Sequence, residues 1–109
     1  MQWLFVVTTI YNEIVTLITE TFEKDDIGQH IPTENKMEFF CRTESISKNE
    51  WFDAGRNGLK PQLKVILPDY NYDGAEKVEY DGVRYSVYRM FHNQKTNEVE
   101  LYLEKKAGA

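Results

Sequence analysis

Apolar and polar residues alternate with a two-residue period over Glu76–Met90 (EKVEYDGVRYSVYRM), and the alternation turns back on itself at Asp81-Gly82. A two-residue type I′ turn needs positive φ at both central positions, which Asp tolerates and Gly adopts freely, so this dipeptide predicts a β-hairpin. In that register Tyr80 faces Val83, Val78 faces Tyr85 and Glu76 faces Val87. Val78, Tyr80, Val83, Tyr85 and Val87 then share one face, while Glu79 and Arg84 pair on the other. A slip of one residue would put the Val/Tyr set into water, so the buried face enforces the register more strongly than the ion pair does. A second alternation, Val99, Leu101 and Leu103 within Val99–Glu104, follows the polar loop His92–Glu98 and extends the hairpin to a three-stranded meander.

Upstream, Ile14–Thr19 is rich in β-branched residues and reads as the first strand. Phe22–His30, polar with a single glycine, predicts a long hairpin loop with a mobile tip. Ile31–Glu34 resumes an extended course, with Pro32 confining it to an edge or a strand start. Lys36–Glu44 is a second long strand with Met37, Phe39 and Cys41 on one face. Ser47-Lys48-Asn49-Glu50 has the form of a capping box, each side chain serving the other's backbone amide, with Ile46 and Trp51 placed as a hydrophobic staple. The helix it starts runs from Lys48 to about Ala54 and ends at a left-handed Gly55 or Gly58. Arg56–Pro61 is a turn, Gln62–Leu67 a strand and Pro68–Gly74 a loop. The strands and the one short helix make the fold class mainly β.

A chain of 109 residues suffices for one domain. We place an apolar arm or extra strand at 1–12, the β domain at 13–105 and a disordered tail at 106–109. Met1–Ile10 is apolar but has no preceding basic residue and no small-residue cleavage site, and it is too short to span a bilayer. The lone Cys41 argues against an internal disulfide or a multi-cysteine zinc site and fits an intracellular protein. A formal charge of −5 with no basic cluster argues against binding by phosphate neutralisation.

Candidate chemistry is sparse. His30 and His92 fall in predicted loops without a nearby second ligand. Asp69, Asn71 and Asp73 have the alternate spacing of a calcium loop, but its twelfth position is Tyr80 and its flanks read as strands, so a simple turn is expected. No phosphate loop, nucleophile elbow or Cys/His pair is present; neither an enzyme nor a cofactor is expected. Tyr70, Tyr72, Tyr80, Tyr85, Tyr88 and Tyr102 lack an accompanying cationic groove and read as core and sheet-face residues.

The order of strand, glycine loop, strand and capped helix, followed by Ala54-Gly55-Arg56-Asn57-Gly58-Leu59-Lys60-Pro61 and Val78-Glu79-Tyr80-Asp81-Gly82-Val83-Arg84-Tyr85-Ser86-Val87-Tyr88-Arg89, resembles the tailed-phage head closure, or head-tail adaptor, family. The likeness covers about Ile14 to Lys105; Met1–Ile10 departs from it. The resemblance implies a small β-barrel or rolled antiparallel sheet of about six to eight strands with one short helix (Lys48 to Ala54), and a structural virion protein without cofactor, metal or catalytic residues, made in the bacterial cytoplasm and placed at the head-tail interface. It implies a ring below the portal and its adaptor that retains packaged DNA and offers the tail its docking surface. The expected partners are the portal/adaptor ring, a tail terminator or tail-end protein, further copies of the chain, and passing double-stranded DNA without sequence-specific contacts; a membrane is not among them. The chain in isolation is expected to be a monomer. Ser45–Pro61 matches a segment that lines or plugs the channel, which makes Ser47, Glu50, Trp51, Phe52, Arg56, Asn57, Leu59 and Lys60 channel or inter-subunit candidates. Asp25, Asp26, Ile27, Gly28, Gln29 and His30 are docking-loop candidates, and Asp81 and Gly82 define the fold's central turn. Two other readings stand beside it: a tail-completion protein of the same particle, and a nucleic-acid-binding small β-barrel.

Overall fold

The computed structural model describes residues 10–105; the expected arm, apart from its residues 10–12, and the tail 106–109 lie outside them. Six strands follow one another as β1 (Glu13–Lys24), β2 (His30–Glu44), β3 (Pro61–Pro68), β4 (Lys77–Tyr80), β5 (Val83–Asn93) and β6 (Glu98–Glu104). One helix, α1 (Lys48–Arg56), links β2 to β3, and a 3₁₀ turn at Asp69–Asn71 follows β3. The sheet order β1-β2-β3-β6-β5-β4 closes because β1 also pairs with β4, Thr16–Ile18 lying against Lys77–Glu79. Over the described strands the chain is thus mainly β, as its patterning predicts: a rolled antiparallel sheet with the short helix α1.

The central hairpin has the expected register, with Val78 opposite Tyr85 and Tyr80 opposite Val83. Asp81 (φ 53°) and Gly82 (φ 77°) are both left-handed, as a type I′ turn requires. Val78 is wholly buried, and Tyr80, Tyr85 and Val87 pack beside it against Val15, Val65, Leu101 and Leu103 in the barrel interior. The outer face departs from expectation. Arg84 does not bond Glu79 but grips Glu34 through two hydrogen bonds of 2.9 and 3.1 Å, and Glu79 instead lies 4.0 Å from Lys36. Closure of the barrel brings β2 residues within reach of β4 and β5, and the bidentate geometry is the stronger one.

Three element boundaries are corrected. β1 runs on through Thr19 to Lys24, so the expected loop shrinks to Asp25–Gln29. The Asp25 side chain makes this possible: its Oδ1 accepts from the amides of Ile27 (3.0 Å) and Gln29 (2.8 Å), and Gly28 takes φ 84°. His30 and His92 are accordingly strand residues, His30 opening β2 and His92 pairing with Val99 near the end of β5. A bulge between Val87 and Arg89 keeps β5 in step with β6. The alternation of Met37, Phe39 and Cys41 holds, yet Met37 is 60% exposed because β2 meets β3 only at Arg42–Glu44 and its flank is open at Met37.

The capping box is half formed. Ser47 Oγ accepts from the Glu50 amide at 3.2 Å, but the Glu50 carboxylate turns away from the backbone to Arg89 and to the Tyr88 hydroxyl. The helix extends to Arg56, with Gly55 inside it and Gly58 (φ 77°) as the left-handed residue beyond. Ser47→Ala is expected to lower stability by about 1 kcal/mol, read as a shift of the urea midpoint with unchanged slope.

Candidate functional site

The features that mark this barrel out are two ends that its core does not use. At one end the β1–β2 ladder continues to Lys24 opposite His30, although β1 has β4 beside it only at Thr16–Ile18 and β2 has β3 only at Arg42–Glu44. Beyond Thr19 and Asn35 the hairpin is therefore a two-stranded arm with both edges unpaired by the sheet. It accounts for a radius of gyration of 15.8 Å, against roughly 13 Å for a compact domain of this length.

The stem of the arm is fastened by charge. Glu20 and Glu34 are direct cross-strand neighbours, a repulsive pairing that Lys77 (2.8 Å from Glu20) and Arg84 (on Glu34) neutralise. Hydrogen bonding by Arg84 holds the Glu34 carboxyl below its usual range. Ile18, on this outer face, is nevertheless buried, flanked at its own register by Lys36 and Lys77 whose alkyl stems cover apolar surface. A cleft of about 440 Å³ where the arm leaves the barrel is lined by Ile18, Phe22, Ala75 and Lys77, among others. Further out Phe22, Ile27 and Ile31 are exposed, Ile27 by 78%. The candidates Asp25, Asp26, Ile27, Gly28 and Gln29 form the tip itself, with His30 at its edge.

The other end carries the helix. α1 is anchored through buried Ala54 and through Glu50, which reaches Arg89 and Tyr88 on β5. Trp51 (52% exposed) and Phe52 (48%) meet edge to face at 5.2 Å, so neither of the two adjacent aromatics is used by the core. Arg56 pairs with Asp53 at 3.0 Å, the Asn57 side chain donates to the Asp53 carbonyl, and the Leu59 amide donates to the Ala54 carbonyl. The Lys60 amide donates to Glu104 at 3.2 Å. Ser47, Glu50, Trp51, Phe52, Arg56, Asn57, Leu59 and Lys60 thus occupy one end of the barrel, and the tip residues the arm; the fold does not bring the two sets together.

Between the ends, a polar network absent from the sequence reading crosses the outer face of β2, β3, β6 and β5. Glu98, 6% exposed, accepts from Tyr11 at 2.6 Å and from both terminal nitrogens of Arg42. Arg42 also lies 3.6 Å from Glu44, which shares Lys64 with Glu100. Lys64 and Arg89 lie over the Tyr102 ring at 5.5 and 4.8 Å, and Arg89 leads on to Glu50. Burial raises the Tyr11 hydroxyl, the adjoining Glu98 carboxylate adds to it, and the pKa reaches about 12. Burial pushes Glu98 up too, but the hydrogen bonds from Arg42, Tyr11 and Thr96 outweigh it and hold the carboxyl below its usual range. The signal was present at outward positions two apart, Arg42 and Glu44 on one strand and Glu98, Glu100 and Tyr102 on another, but it becomes readable only once β2, β3 and β6 are set side by side.

Among the described residues no cluster of three or more His, Cys, Asp or Glu side chains could hold a metal ion. Asp73 accepts from the Ala75 amide at 3.2 Å in a local turn, and Asp69 binds His92 at 2.8 Å beside a hollow of about 420 Å³ lined with Tyr70, Tyr72, Met90 and Val99. Of the tyrosines, Tyr70 is exposed on the 3₁₀ turn rather than part of the core or a sheet face. No described helix is long and apolar enough to cross a membrane. No model of a known protein family matches the chain, and no curated protein matches it.

Proposed function

We propose that the chain is a structural virion protein of a tailed phage or prophage, a head-tail joining subunit that forms a ring below the portal and adaptor, retains the packaged genome and presents a docking surface to the tail. The observation that carries this reading is the division of the molecule into a closed barrel and two apolar projections at its ends, the arm with Phe22 and Ile27 and the helix with Trp51 and Phe52. A barrel core has no need of them, whereas a subunit that contacts neighbours on both sides does. The motifs Ala54–Pro61 and Val78–Arg89 support it: they build the helix end and the central hairpin, which are structural parts and carry no chemistry. Most cations on the sheet, Arg42, Lys64, Lys77, Arg84 and Arg89, are engaged by carboxylates, which suits a wall that double-stranded DNA passes without adhering.

The test is electron microscopy of particles assembled with the gene deleted, after confirming that DNA is still packaged. Full or leaking heads beside complete, unattached tails are the expected outcome. Normally joined particles would remove the function.

A further inference from the structure

We propose that the tip of the β1–β2 arm docks on the α1 end of a second copy of the same chain, Phe22 and Ile27 packing against Trp51 and Phe52 while Glu23 and Asp26 meet Lys48 and Lys60. The inference deepens the ring reading by naming the surfaces through which copies meet, and it rests on that reading for its biological setting.

The two surfaces cannot satisfy each other within one molecule. The tip opens β2 and the helix follows its end, so the 15 residues of this strand separate them, a span of roughly 50 Å at about 3.3 Å per residue. What each end lacks, the other supplies. Both expose large apolar side chains, and their charges are opposite. The tip carries Glu23, Asp25 and Asp26 against Lys24. The helix end carries Lys48, Arg56 and Lys60; of the carboxylates beside them Glu50 is held by Arg89, Asp53 by Arg56, and Glu104 accepts from the Lys60 amide. Lys48 and Lys60 make no ion pair among the described residues, and neither do Glu23 and Asp26. Opposite charges at the rim of an apolar contact set orientation and exclude the like-charged alternatives, tip on tip and helix on helix. A contact between two different surfaces of identical chains is heterologous, and repetition of it generates a closed ring when the rotation permits.

Cysteine cross-linking tests this directly. The native Cys41 is buried and its thiol is pushed by burial to about 12, so it does not compete. Chains carrying Ile27→Cys are mixed with chains carrying Phe52→Cys, as concentrated purified protein and again within assembling particles. The expected result is a disulfide-linked dimer in the mixture and little with either chain alone. Glu23→Lys with Asp26→Lys, or Lys48→Glu with Lys60→Glu, should each reduce linking on the order of tenfold, and combining a reversed tip with a reversed helix end should restore it. Asp25 is spared because its carboxylate holds the turn; circular dichroism and the urea midpoint establish that each variant folds. Linking in either setting with charge rescue supports the contact. Linking in neither, tip-to-tip linking by Ile27→Cys alone, or capture of a different virion protein by the tip overturns it. Because purified chains can link whether or not deletion separates heads from tails, the contact and the head-tail reading can fail independently.

Discussion

Leu101→Ala should lower the unfolding free energy by about 3 kcal/mol, the larger part of what a marginal domain has in hand. Leu101 is wholly buried and sits in the middle of β6, with Val65 opposite on β3 and Met90 opposite on β5. Truncation removes the transfer energy of the deleted carbons and leaves a void that the neighbours cannot close. Val65 lies on β3 where it is hydrogen-bonded to both β2 and β6, so that side of the wall cannot move inward without breaking a ladder. Met90→Ala is the internal control: half exposed at the same register, it should cost under about 1 kcal/mol. Urea titration of both variants reads the difference as a midpoint shift. Equal costs would mean that the interior is not packed around Leu101 as described.

Arg42→Met should cost about 2 kcal/mol near neutral pH, placed below the usual cost of breaking a buried pair because the Arg42 side chain is about a third exposed and therefore partly screened. What is lost is chiefly compensation. Glu98 would keep the Tyr11 hydroxyl but lose both guanidinium contacts, leaving a buried carboxylate short of partners. The pH dependence follows from the direction of the shift. In the native protein the Glu98 carboxyl lies below its unfolded value, so its contribution is present above about pH 4.3 and is lost as pH falls through the lower folded value. Without Arg42, burial dominates and favours the protonated acid, so the variant gains relative to the native protein on acidification. Unfolding curves at pH 7 and near pH 3 should therefore converge. A gap that stays constant between them would sink the assignment, and Arg42→Leu with Glu98→Leu should lie closer to the native protein than Arg42→Met does.

The parts of the fold that were legible are those where local chemistry and burial agree. Asp81-Gly82 specifies a turn on its own, and the Val/Tyr alternation around it lies against a core, so pattern and structure coincide. Val99, Leu101 and Leu103 read correctly for the same reason. The arm was misread because its strands have no buried face: from Glu20 to Lys24 every residue is exposed, and no alternation announces a strand held by its own ladder and by the side chain of Asp25. Glu50 shows a different failure. Its spacing from Ser47 satisfies the capping rule, but Arg89, distant in sequence, offers a charged partner that a backbone amide cannot match. The candidate surfaces themselves were visible as an aromatic pair and a polar glycine loop; their placement at opposite ends depended on the length of β2, which only the structure reveals.

The closure between β1 and β4 also bears on how the chain folds. The β1–β2 hairpin and the β4–β5–β6 meander each join neighbours in sequence and can form early, since short loops cost little entropy to close. The three register pairs between Thr16–Ile18 and Lys77–Glu79 connect the first strand to one that begins some two thirds of the way along the chain, so this seam, as short as the β2–β3 ladder, bears the largest closing entropy. It is the natural last step of folding and the first place for the native barrel to part. An opened seam would expose the edges of β1 and β4 together, and the two ion pairs that cross it, Glu20–Lys77 from β1 to β4 and Glu34–Arg84 from β2 to β5, would part with it.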